Sequence, residues 1–255
     1  MFEIRTMRLS KFAQGCPTPL AATAEGTWVG GVPAGVDPSQ PVSRAVFQDI
    51  ATRMTDPISA SPELLEVAFE VPLSVSVLWA TQADEIRALL SESVLGAVDD
   101  TMRTLGSEWI FARRGERGIA QIDIVEPAVA CAFMHHFDRQ GKPGIHVHVD
   151  VVNAVLGSDR RVTGMDVTTI RSAEEVAHER YVSSLIAALD DRLSVAVDIS
   201  YREDRRSHFE VAGVDPALIW DLPRVPQTPA VQAPEDAGEQ SQRGRLRDLF
   251  RRRPS

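Results

Sequence analysis

The sequence predicts an α+β protein in which an antiparallel sheet is covered by packed helices. Short segments with alternating or strongly β-branched side chains, such as residues 64–71 and 145–155, have the period of strands. Two longer segments, over about 83–105 and 173–193, repeat apolar residues along one face as amphipathic helices do. The chain has 255 residues, of which 44% are hydrophobic and 25% charged, so it can bury a core large enough for one sizeable domain.

The N-terminal half opens with alternating side chains and then becomes rich in glycine and proline. Alternation predicts strands, and clustered glycine and proline predict loops. In chain order we expect a strand at 2–9, a loop at 13–41 anchored by Trp28, a helix beginning near Ser43, a strand at 64–71 that ends at Pro72, a further element from Ser74, and the helix over about 83–105.

The C-terminal half contains the strongest strand signal, because residues 145–155 are mostly β-branched and therefore predict a central strand. The other expected elements are, in chain order, a hairpin of strands at 109–112 and 119–125, an apolar segment at 128–137, a hairpin turn at 157–160, the helix at 173–193, strands at 193–199 and 207–213, and a helical turn at 216–220. Together these elements predict one domain over residues 1–222.

The last segment, residues 223–255, has the composition of a disordered Pro-rich linker followed by an Arg-rich tail. The whole chain carries a formal charge of −9, and the residues before Arg224 hold 20 basic against 32 acidic side chains. An acidic body does not favour nucleic-acid binding, so any DNA contact needs a local basic patch. Arg245, Arg251, Arg252 and Arg253 are the candidates for that patch, and the alternative is a tail that only aids solubility.

The two cysteines, Cys16 and Cys131, lie far apart in the sequence, and Cys131 stands in an apolar run. This pattern is not a disulfide framework, which favours a reducing compartment. No apolar run reaches the length of a membrane span, and the N-terminus lacks the apolar region of a secretory signal. We therefore expect a cytoplasmic protein.

Histidines cluster between positions 135 and 148. His146 and His148 flank one residue of the predicted central strand, so both side chains point to the same face, and His135 ends the preceding apolar segment. Three converging imidazoles predict a divalent metal site, with Mg, Mn and Zn not distinguished. The alternative is a set of hydrogen-bonded histidines on a sheet. A histidine-triad hydrolase would need a third alternating histidine where Asp150 stands.

Two motifs resemble a known family. One reads His135…Arg139…Pro143…His146-Val-His148…Asn153, and the other reads Glu66-Val-Ala-Phe-Glu-Val-Pro-Leu-Ser74-Val-Ser76-Val-Leu-Trp79-Ala80. Together they resemble the relaxase domain of the MobF class, the TrwC-like conjugative relaxases, which are related to the HUH endonucleases.

The resemblance implies a relaxase-like palm that carries the metal on its sheet. It implies that His135, His146 and His148 bind the metal and that Glu66 is the carboxylate that orients one of these histidines. It further implies a DNA contact at Arg139, single-stranded or nicked DNA as the partner, and a place among conjugation-machinery proteins.

The chain departs from the family at the nucleophile. The family cleaves DNA with a tyrosine just after the first strand, but the two tyrosines here are Tyr181 and Tyr201. Glu66 also stands where aspartate is usual, and Leu73 where lysine is usual. We therefore expect a domain that is degenerate for tyrosine-mediated nicking yet retains metal and single-stranded DNA binding. The alternatives are an active metal-dependent nickase or phosphodiesterase that uses water or a displaced nucleophile, and a non-catalytic protein–protein accessory factor.

Overall fold

In a computed structural model of the chain, eleven strands are assigned within residues 2–8, 25–32, 35–55, 63–114, 116–138, 140–201 and 206–224, which are the residues that the structure describes. In chain order they are β1 (Phe2–Arg8), β2 (Thr27–Trp28), β3 (Glu63–Glu70), β4 (Ala112–Arg114), β5 (Ala120–Ile122), β6 (Ala130–Phe137), β7 (Pro143–Val152), β8 (Val155–Leu156), β9 (Val162–Thr163), β10 (Val197–Tyr201) and β11 (Ser207–Val211).

The helices of the same residues are α1 (Arg44–Thr55), α2 (Leu73–Thr81), α3 (Asp84–Glu108), α4 (Val167–Ser172) and α5 (Glu174–Leu193). Two short 3₁₀ helices cover Glu116–Gly118 and Pro216–Trp220. Within the described parts of the chain, no helix combines the length and the apolar character that a membrane crossing requires.

Five strands form the main sheet in the order β1-β3-β7-β6-β2, and every neighbouring pair is antiparallel. The strand predicted to be central, β7, lies in the middle of this sheet. The remaining strands form three two-stranded ribbons, β4–β5, β8–β9 and β10–β11. The predicted α+β class with an antiparallel sheet and packed helices is confirmed.

The two faces of the main sheet pack against different helices. One face meets α3 and α5, and its buried strand residues include Leu65, Val67, Phe69, Val147, Val149 and Val151. The other face meets α1, whose Phe47 and Ile50 pack against Leu64, Phe133 and Val152. Because side chains alternate along a strand, His146 and His148 fall on the α1 side of the sheet, the same side as Val152.

Several element boundaries differ from the sequence prediction. The helix predicted to end near residue 105 continues to Glu108, so the strand predicted at 109–112 begins at Ala112 instead. The strand predicted from residue 193 begins at Val197, because Ser194 ends α5 in the left-handed conformation. The element expected from Ser74 is helix α2. Trp28 is buried against Phe47, as its role of anchor predicted.

Candidate metal centre

Three histidines meet on the α1 side of the sheet, as the sequence predicted. His135 on β6 lies directly opposite His146 on β7, and His148 follows two residues later on the same face. The ring centroids are 5.0 Å apart for His135 and His146, 5.4 Å for His135 and His148, and 5.2 Å for His146 and His148. One nitrogen from each ring lies within 4.8 Å of the others. Three imidazole nitrogens this close together could hold one divalent cation between them.

A backbone carbonyl fixes the tautomer of His146. Its Nδ1 atom lies 2.8 Å from the carbonyl oxygen of Gly144. A carbonyl oxygen only accepts hydrogen bonds, so Nδ1 must carry the proton. The lone pair of the neutral ring is then on Nε2, which is the form that a metal ligand needs.

Glu66 lies beside a second histidine. Its Oε1 atom is 3.6 Å from Nδ1 of His148, and both side chains are largely shielded from solvent. A carboxylate at this position favours a proton on Nδ1 and leaves the lone pair on Nε2. The hydrogen bond to Gly144 sets the tautomer of His146, and the charge of Glu66 favours the same tautomer of His148 by electrostatic attraction at 3.6 Å. Imidazole nitrogens of this form suit a divalent cation.

A buried carboxylate that the sequence reasoning did not assign lies on the same face. Asp150 is 1% exposed and stands between Glu66 and Cys131 in the register of the sheet. Burial, and after it the charge of Asp150, raises the pKa of the Cys131 thiol and so favours its protonated form. The alternation His146, His148, Asp150 was the signal that could have placed this residue on the face that carries the site.

His136 belongs to the opposite face of the sheet. Its ring stacks on Trp79 with centroids 4.6 Å apart, and its Nε2 atom lies 3.0 Å from Oγ of Ser91. Burial in this environment lowers its pKa, and the neighbouring rings of His135 and His146 lower it further. His136 therefore points away from His135, as the alternation of side chains along β6 requires.

Neither tyrosine lies beside the three histidines in the sheet. Tyr181 is buried on α5, with its ring 5.0 Å from that of Phe69 on the other face of the sheet. Burial, and after it the charge of Glu70, raises the pKa of its hydroxyl. Tyr201 is 75% exposed at the end of β10, in a separate ribbon. A buried hydroxyl with a raised pKa is a poor nucleophile.

The structure also locates Asn153 and Leu73, which belong to the two sequence motifs. Asn153 accepts a hydrogen bond from the backbone N–H of Met165 at 2.7 Å, so it ties the end of β7 to the segment before α4. Leu73, where the family has lysine, is the first residue of α2 and is 45% exposed. Arg139 and the tail arginines Arg245, Arg251, Arg252 and Arg253 lie outside the described residues.

Comparisons with known proteins agree on one family. The TrwC relaxase family profile matches residues 21–222 of this chain. A search of curated protein sequences found no match.

Solved structures of the conjugative relaxase TrwC share the fold at low identity. A metal-bound complex with oriT DNA is 18% identical with a TM-score of 0.69, and a copper-bound complex with oriT DNA is 18% identical with a TM-score of 0.68. A complex with a 27-mer that comprises the recognition hairpin and the cleavage site is 19% identical with a TM-score of 0.67. Each match covers 86% of this chain and 78% of the other.

Proposed function

The chain belongs to the TrwC relaxase family, and we propose that it acts in conjugative DNA processing by binding a divalent metal and single-stranded or nicked DNA. The observation that carries this proposal is the cluster of His135, His146 and His148 on two adjacent central strands. Solved TrwC complexes that contain both metal and oriT DNA support the same assignment.

The chemistry follows from the donor set. A bound divalent cation would stabilise the negative charge that develops on phosphate oxygens during strand cleavage. His135, His146 and His148 would hold that cation. The carbonyl of Gly144 and the carboxylate of Glu66 would keep two of these rings in the binding tautomer. Three protein ligands leave coordination positions for a phosphate group.

We propose that the domain is degenerate for nicking by tyrosine. The chain has two tyrosines, one buried on the far side of the sheet and one at the end of β10. A cleavage reaction that uses metal-activated water is the second candidate, and the open coordination positions of a three-histidine site favour it over a purely structural role.

We also propose specific DNA contacts, a role for the C-terminal tail and a cellular location. Arg139 and the tail arginines Arg245, Arg251, Arg252 and Arg253 would supply phosphate contacts to an otherwise acidic body. Residues 223–255 would form the Pro-rich linker and the arginine tail, which would carry the contacts of Arg245, Arg251, Arg252 and Arg253 outside the folded domain. A role in DNA transfer would place the protein in the cytoplasm, beside other proteins of the conjugation machinery.

The deciding experiment is incubation of the purified protein with end-labelled single-stranded DNA in the presence of Mn²⁺ or Mg²⁺. We expect metal-dependent DNA binding and no covalent protein–DNA product on a denaturing gel. Release of a shorter DNA strand without an adduct would assign the water-based reaction. Absence of both metal binding and DNA binding would contradict the proposed function and favour the accessory-factor alternative.

A further inference from the structure

A single peptide group links helix α2 to the histidine cluster. The carbonyl oxygen of Gly144 accepts the Nδ1–H of His146 at 2.8 Å. The N–H of the same peptide group, that of Ile145, donates to Oγ of Ser76 at 3.1 Å. Ser76 and the ring of His146 are therefore joined through one rigid, planar unit.

The end of β3 makes this link available. The β3–β7 pairing stops at Glu70 and His146, and the carbonyl of Ile145 faces this side, because it accepts the backbone N–H of Val71 at 3.4 Å. The N–H of Ile145 faces the same side, has no strand partner there and must find another acceptor. Ser76 supplies that acceptor, and both Ser76 and Ile145 are almost completely buried.

Helix α2 is placed for this contact by the end of β3. The strand stops at Glu70, and Pro72 precedes the helix, whose second turn then faces the first residues of β7. The backbone N–H of Val71 also approaches the carbonyl of Ile145, at 3.4 Å. The segment from Val71 to Ser76 thus takes over from β3 as the neighbour of β7 at its N-terminal end.

We propose that Ser76 is a positioning residue for the metal centre, acting through the Gly144–Ile145 peptide on the ring of His146. This inference rests on the proposed metal binding. The hydroxyl fixes the plane of the peptide, and hydrogen bonding at its N–H polarises the carbonyl into a better acceptor. The carbonyl in turn holds Nδ1–H and so fixes the orientation of the ring and of Nε2, the nitrogen offered to the metal.

Ser74 provides a matched control on the same helix. It is also fully buried, but its Oγ accepts the N–H of Val211 on β11 at 2.7 Å, and its own N–H donates to Glu210. Loss of either hydroxyl removes one buried hydrogen bond from α2. Only the Ser76 bond leads to the histidine cluster.

The test compares Ser76→Ala and Ser74→Ala in the full chain by calorimetric titration with Zn²⁺ and Co²⁺. We expect Ser76→Ala to bind metal about tenfold more weakly, at the low end of the loss seen when a residue that supports a ligand is removed. The visible spectrum of bound Co²⁺ should change in this variant. Ser74→Ala should keep the wild-type affinity and spectrum, although both variants are destabilised.

The possible outcomes distinguish a failure of the proposed metal binding from a failure of the positioning role of Ser76. Wild-type protein that binds no metal would overturn the proposed function itself. Metal binding that is equal in Ser76→Ala and Ser74→Ala, or equally weakened in both, would overturn the positioning role alone. If Ser76→Ala does not fold, Ser76→Cys retains most of the volume with a weaker acceptor and must show the same loss in milder form.

Discussion

The Nδ1 atom of His148 lies 3.6 Å from the Oε1 atom of Glu66, diagonally across the boundary between β7 and β3. The residue directly opposite Glu66 is Asp150, and His148 lies opposite Ala68. Diagonal neighbours in a sheet are within reach of long side chains. The longer glutamate side chain thus extends along the sheet toward the imidazole.

Removal of the Glu66 charge should weaken metal binding. Glu66→Gln keeps the shape of the side chain but no longer favours the proton on Nδ1 of His148, so we expect an affinity loss of about tenfold. Titration calorimetry with Zn²⁺ measures this loss. Glu92→Gln, which removes an exposed carboxylate paired with Arg192 on the helical layer, is the control and should bind as the wild type does. Equal affinities in the two variants would contradict a supporting role for Glu66.

The three histidines should dominate metal affinity. His146→Ala and His148→Ala each delete a proposed ligand, so their losses should exceed the ten- to hundredfold effect typical of residues that only support ligands. His178→Ala and His208→Ala should retain metal affinity, because neither histidine belongs to the cluster. His178 is hydrogen-bonded to the backbone carbonyl of Ser207, and His208 lies beside Glu210. His136→Ala should have only a small effect. The same affinity in every variant would show that the cluster is not the metal site.

No tyrosine should become covalently linked to DNA. The hydroxyl of Tyr181 is buried and its pKa is raised, and Tyr201 lies in a ribbon apart from the main sheet. Incubation with single-stranded DNA and Mn²⁺, followed by a denaturing gel, should show no retarded protein band. An adduct that mapped to Tyr201 and disappeared in Tyr201→Phe would show that the nucleophile has moved, and the domain would not be degenerate.

Deletion of residues 243–255 should weaken DNA binding and leave metal binding unchanged. These residues include six arginines on a chain whose body is acidic. Each phosphate contact that is lost should flatten the log–log dependence of affinity on salt by about 0.7 for single strands. Fluorescence anisotropy at several salt concentrations gives both quantities. If the truncated protein binds with the same affinity and salt dependence, the tail serves solubility.

Acid should weaken the contact between α5 and β11. Burial alone would raise the pKa of Glu179, but hydrogen bonds from the hydroxyl and N–H of Ser207 outweigh burial and hold the pKa below its usual value. The stability that this carboxylate contributes is therefore complete above its unfolded pKa and is lost as the pH falls through the folded pKa.

We expect this contribution to be about 1 kcal/mol in the free energy of unfolding. Urea unfolding of the wild type and of Glu179→Gln at pH 7 and pH 3 measures it, and the difference between the two proteins should shrink at pH 3. Glu175→Gln, which changes an exposed residue of the same helix, should show a smaller effect at both pH values. A difference that does not depend on pH would rule out the carboxylate as its source.

Local patterns predicted the parts of the site that depend on one strand at a time. Alternation placed His146 and His148 on one face, and it also placed His136 opposite His135. The β-branched run marked β7 as the central strand. These inferences succeed because the direction of a side chain in a strand follows from its position alone.

The features that the sequence did not reveal depend on contacts between distant segments. Nothing near Ser76 indicates that its hydroxyl receives the N–H of Ile145, which is 69 residues away. The register shift between His135 and Phe137 is likewise a property of the pairing between β6 and β7 and not of either strand. Helix α3 also continues past its predicted end near residue 105, to Glu108. The backbone N–H of Trp109 caps it by donating to the carbonyl of Leu105.

The position of the three histidines on two adjacent interior strands of the sheet has a consequence for the thermodynamics of metal binding. Folding of the core already orders β6 and β7, so the imidazoles are preorganised, and little conformational entropy remains to be lost when an ion arrives. Small zinc domains behave in the opposite way, because their folding and their metal binding are one event. In this protein the packed core should keep the apoprotein folded. The metal ion should therefore bind and dissociate reversibly without unfolding of the domain.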